Sequence, residues 1–240
     1  MVEQQDPIAR DSLDRDSLDL EQLPGGHQDV LGILPLRLQE SLRRSARVIL
    51  VANNPAIRHA DVEALGLDAN DTVVTFNQCI KADLLTPTTV NLFVHGFNGP
   101  DRYFFGLPPR PEINRLMQHP QARCFTLLVG CTGHISPLPD VALYHDRIPL
   151  PALWNYPVER PGGKRYVGPS TGFNVLVLLD WLRQHHGYSF ELLTLGFSNE
   201  AGKLWSGHAW EYEREWLMQS DVVRIALQPR AWWQKILRLK

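Results

Sequence analysis

Residues Arg47–Leu65 read RVILVANNPAIRHADVEAL, and this order of strand, turn and helix decides the fold. The run RVILV, residues 47–51, is β-branched and apolar on both faces, as a strand buried inside a parallel sheet is. Ala52-Asn53-Asn54-Pro55-Ala56 follows as a tight turn, and His59–Leu65 reads as a helical piece. Together they form the opening of a nucleotide-binding α/β unit. The turn lacks GxGxxG, so it is not the dinucleotide fingerprint.

Downstream, four further apolar runs read as strands. Thr72–Phe76 ends at Asn77-Gln78, Thr89–Val94 ends at His95-Gly96, Cys124–Val129 follows, and Glu191–Leu195 ends at Gly196-Phe197. Val222–Leu227 reads as a last strand. The fold expected is α/β, a single Rossmann-like open, mostly parallel sheet flanked by helices. In such sheets ligands bind outside the carboxyl ends of the strands, so Asn53, Asn77, His95 and Gly196 are candidates for one site. For each Asn the alternative is a turn residue, because Asn tolerates left-handed backbone.

A second informative stretch is YVGPSTGFNVLVLLDWLRQHHG, Tyr166–Gly187. Gly168-Pro169-Ser170-Thr171-Gly172 runs straight into the apolar segment Phe173–Leu182. Pro near the start, Ser or Thr as cap and Gly at the far end predict a helix with an open N-terminus. Its unpaired N–H groups and partial positive charge suit a phosphate; the alternative is an ordinary capped core helix. Arg160, Lys164 and Arg165 stand just before it, as added positive charge or as a solvated basic loop.

Upstream, Leu36–Arg44 reads as a short helix that begins the ordered domain. Residues 1–30 carry RDSLD twice and Pro24-Gly25-Gly26, the composition of a mobile acidic tail, leaving residues 31–240 as the α/β domain. Asp14-Arg15-Asp16 spells the DxD of metal-dependent glycosyltransferases, but inside this repeat it is read as coincidence and no metal is assigned. Residues 97–118 and 132–165 are rich in Pro, Gly and aromatics and read as long loops. Tyr103, Phe104, Phe105, Trp154 and Tyr156 make them lids or acceptor-site walls. Ser198–His208 is a loop, Ala209–Met218 a helix with His208 at its lip, and Ala231–Lys240 a basic, apolar tail. Trp232 and Trp233 give that tail a peripheral membrane contact or a docking site on the core.

Composition narrows the function. Lys and Arg number 24 against 26 Asp and Glu, so no broad nucleic-acid surface is expected. Cys79, Cys124 and Cys131 show no CxxC spacing, which favours a reducing cytosol over a disulfide framework or zinc site. The N-terminus lacks the pattern of a signal peptide, and no apolar run approaches the ~18 residues of a membrane span. A soluble cytoplasmic protein is expected, peripheral at an inner membrane if the Trp232-Trp233 tail reaches it.

In order along the chain, VILVANNPAI, VVTFNQC, GPSTGFNVLVLLDWL and His208-Ala-Trp-Glu-Tyr-Glu213 resemble the motifs of the sialyltransferases, both glycosyltransferase family 29 and the bacterial family 42. The resemblance covers about residues 47–227 and implies a sialyltransferase-type variant of the GT-A architecture. It implies a CMP-sugar donor held by Asn53, Asn54 and Asn77 at strand ends and by Ser170, Thr171 and Gly172. It also implies His208 as catalytic base, with Glu213 in support, and a glycan or glycolipid acceptor. Three departures stand out: Gly168 replaces the usual His before Pro-Ser-Thr-Gly, Cys79 has no partner in the second motif, and the loop before His208 is too short for the third motif.

The chemistry explains the residue types. A CMP-linked ulosonic acid already carries a phosphate monoester as leaving group, so neither strong acid nor divalent metal nor other cofactor is required if N–H donors and hydroxyls hold that phosphate. The acceptor hydroxyl needs a base, and a His near its ordinary pKa suits that role, worth ~10²–10⁴-fold. Glu213 lies five residues beyond His208, about 140° around a helix, so it is expected to brace the loop or a strand and not to polarise His208. His95 is the reserve base, and His185 and His186 read as structural. The expected activity is therefore a metal-independent inverting transfer of sialic acid or Kdo. The alternative is a non-catalytic nucleotide-binding accessory protein that keeps the fold.

Overall fold

The computed structural model describes residue 31 and residues 34–79, 81–96, 110–129, 141–144, 150–160, 162–166, 168–197 and 204–228. The expectations for the tail 1–30, for Tyr103, Phe104 and Phe105 and for Trp232 and Trp233 lie outside these residues. Four of five residues of β1 (Arg47–Val51) are buried, and all six of β2 (Asp71–Phe76) are. Both faces of each are therefore covered, which explains their unbroken apolar runs.

β3 (Val90–Gly96), β4 (Arg123–Val129) and β5 (Val141–Tyr144) extend the sheet outward from β2, while β8 (Glu191–Leu195) and β9 (Val223–Ile225) lie on the other side of β1. The seven-stranded order is β5-β4-β3-β2-β1-β8-β9, and every pairing is parallel. This is the expected Rossmann-like open sheet, parallel throughout. The chain builds from β1 out to β5, then returns to lay β8 against β1. The strand order thus reverses between β1 and β8, and the crevice at their carboxyl ends is where such a sheet receives a ligand.

Alternation sorts the strand residues onto the two faces of the sheet. Val48, Leu50, Val74, Phe76, Leu92, Val94 and Leu192 face a large cluster that includes Leu38 and Leu42 of α1 (Leu36–Arg44). The same cluster takes in α5 (Thr171–His185), whose residues Phe173–Leu182 are all buried. A helix apolar all round is a core helix, and each such Leu, Val or Phe contributes about 1.5–3 kcal/mol by leaving water. Ile49, Val51, Val73, Leu193 and Leu195 face the opposite core with Ile57 and Leu65.

Several elements differ from expectation. α2 spans His59–Glu63, not His59–Leu65, and Gly66 follows in left-handed backbone (φ +53°). Within the stretches read as loops lie α3 (Pro111–Met117), β5, α4 (Pro151–Trp154) and a hairpin of β6 (Glu159–Arg160) with β7 (Lys164–Arg165). Pro111 and Pro151 open their helices, where the missing N–H costs nothing. Prolines read as signs of irregularity are therefore helix starts. α6 spans Trp210–Gln219. Among the described residues no helix is long and apolar enough to cross a membrane.

Candidate functional site

A helix leaves its first four N–H groups without intrahelical acceptors. In α5 two of these are answered locally. Ser170, the N-cap, accepts from Phe173 N through its hydroxyl at 3.1 Å, and its own N–H donates to Glu213 Oε1 at 2.8 Å. Among the described residues the amides of Thr171 and Gly172 and the Thr171 hydroxyl have no acceptor or donor. The open N-terminus expected from the sequence thus narrows to Thr171 and Gly172. The Ser170 hydroxyl is committed to the fold: it also donates to Glu213 Oε2 at 2.7 Å.

Glu213, on α6, is 6 % exposed. Its carboxylate receives both Ser170 donors and the phenol of Tyr156 at 2.9 Å. Burial raises its pKa above the ordinary carboxylate range, while the donors from Ser170 and Tyr156 act in the opposite sense. Tyr156 accepts from Ala209 N at 2.6 Å, and burial first, then the Glu213 charge, keep its phenol protonated. The contacts of Glu213 run to the N-cap of α5 and to Tyr156, and the helix spacing used to separate it from His208 does not apply. His208 precedes α6, outside the helix, so the 100° rule does not relate the two residues.

His208 is half-buried, and its Nδ1 lies 2.6 Å from the Gly168 carbonyl. A carbonyl only accepts, so Nδ1 carries the proton and Nε2 carries the lone pair. Burial lowers the His208 pKa and so favours the neutral ring, and the Gly168 contact acts in the opposite sense. Gly168 has φ +150°, backbone that a side chain rarely adopts. Its glycine is explained by that conformation. Trp205 and Trp210 stand edge to the imidazole with centroids 4.6 and 5.1 Å away.

The strand-end residues fare differently. Asn53 is exposed and donates from Nδ2 to the Phe76 carbonyl at the end of β2, at 2.8 Å. Asn77, half-buried, takes left-handed backbone (φ 49°) and donates from its N–H to Val94 O at 2.7 Å. Asn54, expected to hold the donor, is 5 % exposed and serves the scaffold. Its Nδ2 donates to Gly196 O at 2.9 Å, bridging the β1–β8 crevice, and its Oδ1 accepts from Ala56 N at 2.9 Å. His95 is fully buried, and that burial pushes its pKa down to about 4. His185 packs on Trp181 at the far end of α5, as a structural residue.

Gly172 joins the helix to the sheet. A Cβ there would meet the Phe197 ring at 3.1 Å and the Phe76 ring at 3.9 Å, so the α5 N-terminus sits against the ends of β8 and β2. Gly168, Ser170, Thr171, Gly172, His208 and Glu213 therefore gather at the carboxyl edge of the sheet with Asn53. Arg160 reaches the same region by donating to Ser206 O at 2.6 Å, whereas Lys164 and Arg165 are exposed on the hairpin. Tyr156 was legible only as one aromatic among several; its link to Glu213 and Ala209 spans more than fifty residues of chain and has no local signal. Among the described residues no three His, Cys, Asp or Glu side chains are grouped to hold a metal ion. Cys79 is buried, its thiol pushed up to about 11 by burial, and is no nucleophile. No protein-family model, curated protein or solved structure matches this chain.

Proposed function

We propose that this protein is a metal-independent, inverting glycosyltransferase that moves an acidic sugar, sialic acid or Kdo, from a CMP-sugar donor to a hydroxyl of a glycan or glycolipid on the cytoplasmic side of the membrane. The observation that carries this reading is the pairing, around one turn, of two unanswered helix amides with an imidazole of defined tautomer. Amides at a helix N-terminus bind phosphate, and a neutral His with its lone pair on Nε2 is a base. Gly168 belongs to both, since its carbonyl orients His208 and its chain leads into Pro169-Ser170-Thr171.

In this mechanism the amides of Thr171 and Gly172 and the Thr171 hydroxyl hold the CMP phosphate. Asn53 and Asn77, at the ends of β1 and β2, lie on the nucleotide side. The acceptor oxygen forms a bond to the anomeric carbon as the carbon–phosphate oxygen bond breaks, and the acceptor proton passes to His208 Nε2. CMP leaves as a phosphate monoester dianion, stabilised where its charge develops. The imidazolium formed keeps its Nδ1–H on Gly168 O.

The competing reading, an accessory protein that binds a nucleotide without catalysis, is favoured by one observation: the Ser170 hydroxyl and the Asn54 amide are committed to the scaffold. Thermal melts with CMP, CTP, UDP and GDP test the site. A ligand at about 100 times its Kd adds about 2.7 kcal/mol, so CMP or CTP should raise Tm by several degrees while UDP and GDP do not. A purine preference, or no shift with any nucleotide, sinks the proposal. Release of free sugar or transfer product from a CMP-sugar then separates enzyme from accessory protein.

A further inference from the structure

A cavity of about 350 Å³ opens between α4, the C-terminal half of α5 and the end of α6, within the size range of small-molecule sites. Its wall includes Ala152 of α4, Asp180, Trp181 and His185 of α5, and Trp216 and Gln219 of α6. Asp180 is 4 % exposed, and among the described residues it is the one carboxylate in a wall that holds no Lys or Arg. Its Oδ1 accepts from Arg183 Nη2 at 2.6 Å and its Oδ2 from Gln184 Nε2 at 2.8 Å, one bond on each oxygen, whereas a carboxylate offers about four sites. Arg183 divides that same nitrogen between Asp180 and Asp221, one cation against two carboxylates. Burial pushes the Asp180 carboxyl above its ordinary range, with Arg183 acting in the opposite sense. The charge buried there is thus only partly answered. The C-termini of α5 and α6, at His185 and Gln219, bring the negative ends of two helix dipoles to the same wall, and α4, four residues long, sums to little dipole. Trp181 is held by stacking on His185, centroids 3.7 Å apart, and Trp216 by a T-shaped contact with Phe173 at 5.4 Å.

We propose that this cavity binds a small organic cation, a primary ammonium on an apolar body, with its N–H groups on the free lone pairs of Asp180 and its body against the indoles of Trp181 and Trp216. Three features select that class. A buried carboxylate beside two helix C-termini repels an anion and attracts a cation. Indoles add to that attraction, since a ring face is negative and is worth most to a cation taken out of water. An inorganic ion finds too few ligands, because among the described residues no three His, Cys, Asp or Glu side chains are grouped. An organic body, by contrast, gains by covering Ala152 and Trp216. The site is separate from the CMP reading: Thr171 opens the other end of α5, about 14 Å along the axis from Asp180. It stands whether or not a nucleotide binds there.

The test titrates the full-length protein, at about pH 8 where an ordinary histidine is neutral, with three probes of similar shape in saturation-transfer NMR: benzylamine, benzyl alcohol and phenylacetate. Saturation is expected on the ring protons of benzylamine, with an affinity about tenfold or more above that of the alcohol, and none on phenylacetate. Asp180→Asn keeps the shape and removes the charge. It should weaken benzylamine about tenfold or more and leave the alcohol unchanged. Because Asp180 also holds Arg183, the Tm of that variant is measured on the same sample. Gln219→Lys is the second variant: it adds a cation at the exposed rim, at a helix C-terminus where Lys is favourable, so folding is kept while benzylamine weakens severalfold. Three results overturn the site: no benzylamine saturation at about 10 mM, equal binding of the alcohol or the acid, or benzylamine affinity unchanged in a folded Asp180→Asn or in Gln219→Lys. If Asp180→Asn does not fold, Gln219→Lys decides alone.

Discussion

Ser170 donates to the Glu213 carboxylate twice, from its N–H at 2.8 Å and from its hydroxyl at 2.7 Å, across 43 residues of chain. The pair joins the start of α5 to α6, and through Tyr156 it joins both to the His208 loop. The His208 loop and the α5 N-terminus are thereby parts of one hydrogen-bonded unit.

Glu213→Gln tests that unit. The amide replaces one accepting oxygen by a donor that must face Ser170 or Tyr156, both already donors. A buried donor left unpaired costs about 1–3 kcal/mol, so the urea midpoint should fall by that amount without a change in m. CMP affinity should fall with it. Ser170→Ala, which removes the cap and one Glu213 donor, should lose about 1 kcal/mol or more.

Tyr156→Phe removes the acceptor of Ala209 N and one donor of Glu213 while keeping the ring among Phe173 and Tyr212. The expected loss is again about 1–3 kcal/mol. Because Ala209 follows His208, kcat should fall more than KM rises. Equal stability and unchanged kinetics in Tyr156→Phe would show that the phenol does not position the base.

His208→Ala should abolish transfer and leave CMP affinity within a few-fold. In the wild type a base works unprotonated, and burial lowers the His208 pKa below its ordinary 6.5. Activity should therefore persist below pH 6.5 and fall only as pH drops through that lowered value. An acid limb centred above pH 6.5 in kcat/KM would exclude His208 as the titrating group.

His95 makes a separate prediction about stability. Its folded pKa, about 4, lies below the unfolded 6.5, so the unfolded chain binds the extra proton between those values. Its contribution is complete above pH 6.5 and is lost as pH falls toward 4, an effect on the order of 3 kcal/mol. His95→Phe should flatten stability against pH in that window; an unchanged slope assigns the acid sensitivity elsewhere.

Gly196→Ala probes the β1–β8 crevice. Gly196 has φ +79°, and a Cβ would stand 2.7 Å from Ile57 Cδ1 and 3.1 Å from Asn54 Cβ. Left-handed backbone costs a side chain about 1–2 kcal/mol and overpacking about 1–3 kcal/mol more. A drop in Tm of about 4–20 °C is expected; a smaller change would mean the crevice relaxes without cost.

Much of the fold is written in short stretches. RVILV and ELLTL occur as β1 and β8 at the expected residues because a run of β-branched and apolar side chains, buried on both faces, needs no distant information. The Ser170 cap and the apolar run after it likewise determined α5, through bonds made within one turn. Asn53 and Asn54 mark the limit. Adjacent and identical in type, they part company because one side chain ends exposed against β2 and the other buried against Gly196, 142 residues away. The edge strand β5, four residues long, carried too little pattern to be seen.

By itself the sequence determined the central strands and the capped helix, since propensity, capping and burial period act over a few residues. Only the tertiary structure decided which hydroxyl stays open, Thr171 and not Ser170, which ring nitrogen of His208 holds its proton, and what Glu213 supports. Those are hydrogen bonds between segments that meet only when β8 returns beside β1 and α6 folds over the start of α5, and no local pattern encodes the meeting.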